Sequence, residues 1–489
     1  MSSPSPNIAA LLSFVFPGLG QAYAGQRRRA LFLALPMILL IVLALFMFAG
    51  GPRRLLDLFR LEALLALLLL NLAVLAYRLA AIFDAYRLAQ ATGHGPGAGR
   101  GSPVLLTALV ALSLVIQGVP EYLGVRAAML DFRPPISVIP SPSFEPEPTD
   151  EPTIQPSPTP PPTPTPTPAP GETPPPPTPT PRVRACPTPT GAWAADGRLN
   201  LLLIGGDEGQ GRSSLRTDTM ILLSVEVETC RAALFGFPRN MIPVPLPAES
   251  AQAYPGGRFP ELLNAVWRRA YENPERFCCA GLSDEDRAWR AVTGTLQGLA
   301  GVPIDGLVAV NLVGFVQLVD EIGGLWIDVP RRLRDSDYPR EDGSGRVEID
   351  IRRGCQRLEG WLALAYARSR QQDDDYQRMR RQQLVLTSVR RQLDPLALLP
   401  HVNELFDIAS KNLWLYLDRN DIPELARLAA AVDPDRTQTI TFAPPRFTSP
   451  LDDDTLRRIR STVRNVFDNP DPEPTPRPSG SPRPACPPN

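Results

Sequence analysis

The run from Pro134 to Thr190 decides how the rest of this chain can fold. It is almost pure Pro, Thr, Ser and Glu, with PPPTPTPTPAP at its centre. Such a composition has no apolar face and few backbone donors, so no core forms from it and an extended polyproline II spacer is expected. At ~3.1 Å per residue, its roughly 57 residues would reach well over ~100 Å when fully extended. The chain must therefore fold as separate parts: a membrane region over 1–133, a disordered Pro/Thr-rich linker over 134–190, a globular region over 191–469, and a second Pro-rich tail over 470–489.

Ala30 to Ala49, ALFLALPMILLIVLALFMFA, has the ~20 apolar residues needed to cross a hydrocarbon core. Leu61 to Phe83 reaches that length too, with Glu62 and Arg78 near its ends, and Pro103 to Leu123 is a third span, interrupted late by Gly118, Pro120 and Glu121. Ile8 to Ala24 is short and contains PGLG; whether it crosses, re-enters or lies at the interface stays open. Successive apolar segments without a small-residue cleavage site exclude a cleaved signal peptide. Arginine counts do not orient the spans: Arg27, Arg28, Arg29, Arg87 and Arg100 on one side balance Arg53, Arg54, Arg60, Arg126 and Arg133 on the other. The Thr-Pro run suits a cell-surface position, which favours an extracytoplasmic C-terminal part.

A formal net charge of -1 gives no general attraction to nucleic acid. There is no helix-turn-helix signal and no basic stripe, so no nucleic-acid partner is expected. The only histidines are His94 and His401, and HExxH and CxxC patterns are absent, which argues against histidine triads and zinc. The only lysine is Lys411; the arginine bias fits a GC-rich genome as well as selection for bidentate anion binding. Cys186, Cys230, Cys278, Cys279, Cys355 and Cys486 allow 15 complete pairings, and buried free thiols are equally compatible.

In the globular region, Leu199–Ile204, Met220–Val227, Arg231–Phe237, Leu307–Asn311 and Leu325–Val329 read as strands. Helical patterns cover Glu261–Tyr271, Asp284–Leu299 with Ser283 as N-cap, Val313–Glu321 closed by Gly323, Leu358–Arg368 and Tyr376–Leu393. This interleaving predicts a layered α/β domain with helices covering a mixed central sheet.

Three places could carry chemistry. In LLLIGGDEGQGRSSLRTDTM, Gly205 and Gly206 free the backbone and Asp207 sits at a strand end, with Arg216 and Asp218 just before the next strand. Two carboxylates and an arginine there could hold Mg2+ against a phosphate, although an ordinary polar loop has the same composition. Arg239 and Asn240 leave the end of a third strand in FGFPRN. The stretch YARSRQQDDDYQRMRRQQ holds five arginines and three aspartates, with Arg378, Arg381 and Gln382 on one helical face. A solvated surface paired to Asp373, Asp374 and Asp375 competes with an anion site there.

The strings LNLLLIGGD, RTDTMILLSV, FGFPRN, LNAVW, PIDGLVAVNLVGFVQLVDEIGGLWIDVP, LEGWLALAYARSR and DYQRMRRQQLVL stand in the order typical of the LytR-CpsA-Psr family, which this chain resembles over Asn200 to about Leu393. The resemblance implies an extracytoplasmic, membrane-anchored, Mg2+-dependent phosphotransferase. Such a protein moves a glycopolymer from a polyprenyl-pyrophosphate carrier to a cell-wall acceptor glycan, commonly peptidoglycan. It implies Asp207 and Asp218 as metal-site and, with Arg216, catalytic residues, and Arg239, Arg368, Arg370, Arg378 and Gln382 as pyrophosphate ligands. Asp373, Asp374, Arg380 and Gln383 fall to the surface. The family usually has Asp where this chain has Asn240, which puts one carboxylate in doubt. The family's older name, cell envelope-related transcriptional attenuator, leaves regulation as an alternative, and a non-catalytic lipid- or wall-binding protein is another. LLSFVFPGLGQAYAGQRRRA also resembles the opening of TM2-type membrane modules, over about twenty residues and with no chemistry implied.

Overall fold

A computed structural model describes residues 4–49, 60–92, 101–135, 186–189, 191–207, 215–251, 254–277, 281–340, 344–372, 374–392, 401–447, 450–468 and 486. The linker interior, most of the C-terminal tail, Arg53, Arg54, Arg100, Cys278, Cys279 and Asp373 lie outside these residues.

The membrane region forms α1 (Pro6–Val15), α2 (Leu19–Tyr23), α3 (Arg27–Ala49), α4 (Leu61–Thr92) and α5 (Pro103–Ala128). Three of them, α3, α4 and α5, are long and apolar enough to cross a membrane. The ten residues of α1 rise only about 15 Å, half a hydrocarbon core. Small residues bring α1 and α2 against α4: Ala9, Ala10, Ala81, Ala85 and Ala89 are buried, and a Cβ on Gly20 would lie 2.1 Å from the Ala9 carbonyl oxygen. Polar groups tie the same contact, with Gln21 Nε2 donating to the Ala81 carbonyl at 2.9 Å and to Asp84 at 3.0 Å.

A seven-stranded mixed sheet follows, in the order β1 (Phe132–Arg133), β12 (Leu413–Tyr416), β7 (Gly306–Val310), β2 (Arg198–Gly206), β3 (Thr217–Glu226), β4 (Ala232–Gly236), β13 (Gln438–Thr441). Three antiparallel pairs (β2/β3, β3/β4, β7/β12) and three parallel ones (β2/β7, β4/β13, β1/β12) make up the sheet. Short antiparallel pairs join β5 (Val244–Pro245) to β6 (Arg258–Phe259), β8 (Leu325–Val329) to β11 (Gly354–Leu358), and β9 (Leu333–Pro339) to β10 (Arg346–Ile351).

The helices are α6 (Ala248–Ala251), α7 (Val266–Glu272), α8 (Asp284–Ala300), α9 (Leu312–Glu321), α10 (Gly360–Arg368), α11 (Asp375–Gln392), α12 (Val402–Asn412), α13 (Ile422–Ala431) and α14 (Asp453–Arg464). Two-residue alternation sends Leu202 and Met220 into a core with Trp267, Trp289, Leu296 and Ile459 of α7, α8 and α14. A second core gathers Val319, Ile327, Leu358, Tyr366 and Val385 around β8, β11 and α9 to α11.

The expected strands and helices are present with small shifts. Leu262 is extended, so the first expected helix begins as a 3-10 turn at Leu263 and becomes α7 at Val266. Leu358 ends β11 and is not helical; α10 starts at Gly360. Ser283 caps α8 by accepting from the Asp286 N–H, and Gly323, at φ 78°, closes α9. Cys186 is bonded to Cys230 and Cys355 to Cys486. The two described flanks of the Pro-rich run, Arg133 and Cys186, are thus both fixed to the domain.

Candidate functional site

A cavity of about 1030 Å³ lies between the sheet and α9 to α12. Its lining runs from polar to apolar along α11 and is apolar throughout along α9. On α11 it passes from Arg378 and Gln382 through Val385 and Leu386 to Val389, an axial distance of roughly 16 Å. On α9 and just beyond its end it passes from Leu312 through Phe315 and Leu318 to Ile322. Asp218, Arg368, Arg370 and Gly205 stand at the polar end, where β2 finishes and α9 and α11 begin.

Each polar residue has a placing element. The register between β2 and β3 shifts at Gly205/Gly206, and a Cβ on Gly206 would meet Leu215 Cδ1 at 2.8 Å, so a larger residue there would have to displace the Leu215 side chain. Asp207 and Arg216 leave these strands together: the Arg216 N–H donates to Asp207 Oδ1 at 2.8 Å, and the Asp207 N–H to the Arg216 carbonyl at 3.0 Å. They stand at the strand end, outside the cavity lining. Residues 208–214 between them are outside the described residues.

Asp218 is the centre of a charged network. Arg239 donates to its Oδ1 at 2.7 Å and Asn264 at 3.4 Å. Arg239 also lies 3.4 Å from Asp375 Oδ2, while Arg378 donates to Asp375 Oδ1 at 2.9 Å and Arg370 stands 4.0 Å from it. Arg239, Arg368, Arg370 and Arg378 face Asp218 and Asp375; with Arg346, Asp335 and Asp337 of the lining counted too, five guanidinium groups stand against four carboxylates, an excess of one positive charge. Burial presses the Asp218 pKa up, but Arg239, with Arg378 and Arg368 behind it, holds it below the ordinary value. Burial, joined by repulsion from Arg239, lowers the Arg378 guanidinium to about 10. Arg378 is 3% exposed, and its Nε is buried without a hydrogen-bond acceptor among the described residues. A buried cationic N–H left so is an anion site in waiting.

Sequence reasoning grouped Asp218, Arg239, Arg368, Arg370, Arg378 and Gln382, and the fold brings all six together. It named Asp375 only as a partner in the surface alternative, whereas the structure places it within the site, against Arg239, Arg370 and Arg378. It missed the β9 and β10 residues Asp335, Asp337 and Arg346 that border the cavity; Asp335 accepts from the Ser369 hydroxyl at 2.7 Å. Two expectations are corrected. Arg381 shares a helix with Arg378 but donates to the Tyr366 carbonyl at 2.7 Å, stapling α10 to α11. Gln383 is not a surface residue: it is 1% exposed and reaches the Leu234 and Ile440 carbonyls, joining α11 to β4 and β13. Arg380 is exposed as expected, and Asp374 caps α11 through the Gln377 N–H at 2.8 Å. Asn240 hydrogen-bonds to the Tyr376 phenol, so the departure from carboxylate there is absorbed by a neutral partner.

Among the described residues no group of three or more His, Cys, Asp or Glu side chains is arranged to cage a metal. Two carboxylates at adjoining strand ends, with phosphate oxygens completing the set, match the way Mg2+ is held beside phosphate substrates.

The LytR_cpsA_psr family model matches residues 183–448 of the chain. Biofilm regulatory protein A of Streptococcus mutans is 25% identical over 249 residues, 49% of this chain and 55% of that protein. Polyisoprenyl-teichoic acid--peptidoglycan teichoic acid transferase TagV of Bacillus subtilis is 30% identical over 121 residues, 24% of this chain and 30% of its own length. The crystal structure of B. subtilis TagV aligns with a TM-score of 0.40 at 21% identity, covering 56% of this chain and 98% of that one. The chain spans about half or less of the length of these curated relatives.

Proposed function

This chain belongs to the LytR_cpsA_psr family, and from that premise we propose that it is a membrane-anchored phosphotransferase moving a glycopolymer from a polyprenyl-pyrophosphate carrier to a wall glycan. One observation carries the reading: a long apolar cavity ends in an arginine cluster with surplus positive charge and a buried Arg378 Nε that has no acceptor among the described residues. A polyprenyl pyrophosphate has the matching chemistry, a concentrated anion on a very apolar tail. The B. subtilis relative is named for transfer between a polyisoprenyl-linked polymer and peptidoglycan, a reaction of this class.

The chain's own groups divide the work. Arg239, Arg368, Arg370 and Arg378 bind the two phosphates, and Gln382, whose Nε2 lies 3.4 Å from the Ala367 carbonyl, borders the same space. A hydroxyl oxygen of the acceptor glycan attacks the phosphorus that carries the glycopolymer. The bond from that phosphorus to the bridging oxygen breaks, and polyprenyl phosphate leaves with the bridging oxygen. The hydroxyl proton passes to Asp207, whose carboxylate is half-buried and oriented by the Arg216 N–H. Asp207 and Asp218 would hold Mg2+, which would supply positive charge to offset the phosphates and the charge developing on the leaving oxygen.

In this reading the reaction runs outside the cytoplasmic membrane, and the disulfides support that side. Cys186–Cys230 and Cys355–Cys486 are bonds of a kind that persist in oxidising compartments. The test is direct: the full chain in lipid nanodiscs, given Mg2+ and a polyprenyl-pyrophosphate oligosaccharide, should release polyprenyl phosphate only when an acceptor glycan is added. Lipid bound without release would leave a carrier-binding protein instead.

A further inference from the structure

The chain passes from the third span into the domain's sheet almost without a break. Helix α5 ends at Ala128, and Phe132–Arg133 is already the edge strand β1, with Phe132 opposite Leu415 and Arg133 opposite Tyr416. The intervening residues Met129, Leu130 and Asp131 reach at most about 10 Å. Charged contacts close the junction. Arg133 donates to Glu285 at 3.0 Å, Asp286 at 3.1 Å and the Tyr416 hydroxyl at 2.8 Å. Arg126, in the last turn of α5, pairs with Asp407 on α12, and Arg60, just before α4, lies 4.0 Å from Glu424 on α13. Arg419 donates to the Leu130 carbonyl and stands 4.8 Å from the Phe132 ring centroid.

The helix that receives Arg126 is also a wall of the cavity. Leu405 of α12 joins the lining, while Asp407, two positions on and therefore on the opposite side of the helix, meets α5. Helix α9 runs antiparallel beside α12: Glu321 lies 2.6 Å from His401 at one end, and Gln317 accepts from Asn412 at 3.2 Å towards the other. The apolar part of the cavity therefore lies behind α12, which stands against the third span.

From this juxtaposition we infer that the membrane helices and the domain form one docked unit, in which a prenyl chain moves from the bilayer into the cavity along the α5–α12 junction. Every methylene kept from water on that path removes an obstacle to loading, so a docked domain captures its lipid from the leaflet at its foot. The inference rests on the donor class proposed above.

The experiment uses the full chain in nanodiscs and reads photolabelling of the cavity peptides rather than turnover. One photoactivatable prenyl pyrophosphate, of full chain length, is placed in the same bilayer; a short, water-soluble one is supplied from solution. A flexible insertion between Leu130 and Asp131 should lower labelling by the bilayer probe at least about tenfold and leave the soluble probe unchanged, because only the first depends on docking. As a second variant, Arg126→Asp should lower bilayer labelling, and adding Asp407→Arg should restore it. Unchanged bilayer labelling in the insertion variant, or equal loss of both probes, overturns the inference while leaving the donor class intact. If neither probe labels the unaltered protein, the donor class itself fails.

Discussion

The guanidinium of Arg239 donates to the Asp218 carboxylate at 2.7 Å, so the residue proposed to hold phosphate is tied to the one proposed to hold metal. Asp218→Asn keeps the shape but removes the charge. Transfer should fall at least about 100-fold, as expected when preorganised charge is removed from a phosphoryl site. Because Asp218 titrates below the ordinary carboxylate value, its ion pair contributes stability that is complete above that ordinary value and is lost as pH falls through the lowered one. Asp218 stays charged around neutrality, so the variant's rate–pH profile there should keep its shape while its height drops. A profile that shifts instead would make Asp218 the group that moves the proton.

Arg378 should be intolerant of lysine. Its pKa of about 10 leaves it charged at neutral pH, and its buried Nε demands an acceptor that a compact ammonium cannot face in the same geometry. Calorimetric titration with inorganic pyrophosphate should show affinity reduced about tenfold or more in Arg378→Ala, with little recovered in Arg378→Lys. Full recovery by lysine would reduce the role of Arg378 to net charge.

Gln383 bears on how much was legible beforehand. On a helix with arginines at 378, 380 and 381, composition cannot say which face is buried; the carbonyls it reaches, Leu234 and Ile440, lie far away in sequence. The pairing of Asp375 with Arg239 was hidden for the same reason, since the two lie 136 positions apart. By contrast β2, β3 and β7 announce themselves as short aliphatic runs, and α8 and α9 carry capping residues next to their apolar stripes. The β9 strand, LRDSDYP, hides because only Leu333, Asp335 and Tyr338 face inward and the rest is charged or polar. Gln383→Leu should cost about 1–3 kcal/mol in urea unfolding by leaving the β4 and β13 carbonyls unmatched. A neutral result would mean that water replaces the amide.

Asp305 gives a pH signature of the fold. Burial, assisted by Asp196, pushes its carboxyl up to about 7 even though the Asn200 N–H, 2.7 Å away, works in the opposite direction. The folded state therefore holds this proton more tightly than the unfolded one. The stabilisation is complete below the unfolded value of 3.8, declines as pH rises, and is gone above about 7. Asp305→Asn keeps an acceptor for the Asn200 N–H without a charge to desolvate. Its denaturation midpoint should exceed that of the unaltered protein at pH above 7 and vary less across that window. An equal slope in both proteins would remove Asp305 as the cause.

The disulfides should carry a large share of the domain's stability and report its compartment. Cys186–Cys230 closes a separation of 44 residues, which on chain-entropy grounds contributes about 4 kcal/mol. Paired Cys186→Ser and Cys230→Ser changes should lower the urea midpoint accordingly, without touching the cavity residues. Cys355–Cys486 spans 131 residues and fastens the end of the chain to β11, so reduction should also expose the tail to proteolysis. In intact cells, alkylation under non-reducing conditions should leave all four cysteines unlabelled, and labelling should appear only after reductant is added. Labelling without reductant would mean that the thiols are free in the cell and would place the domain on the reducing side of the membrane.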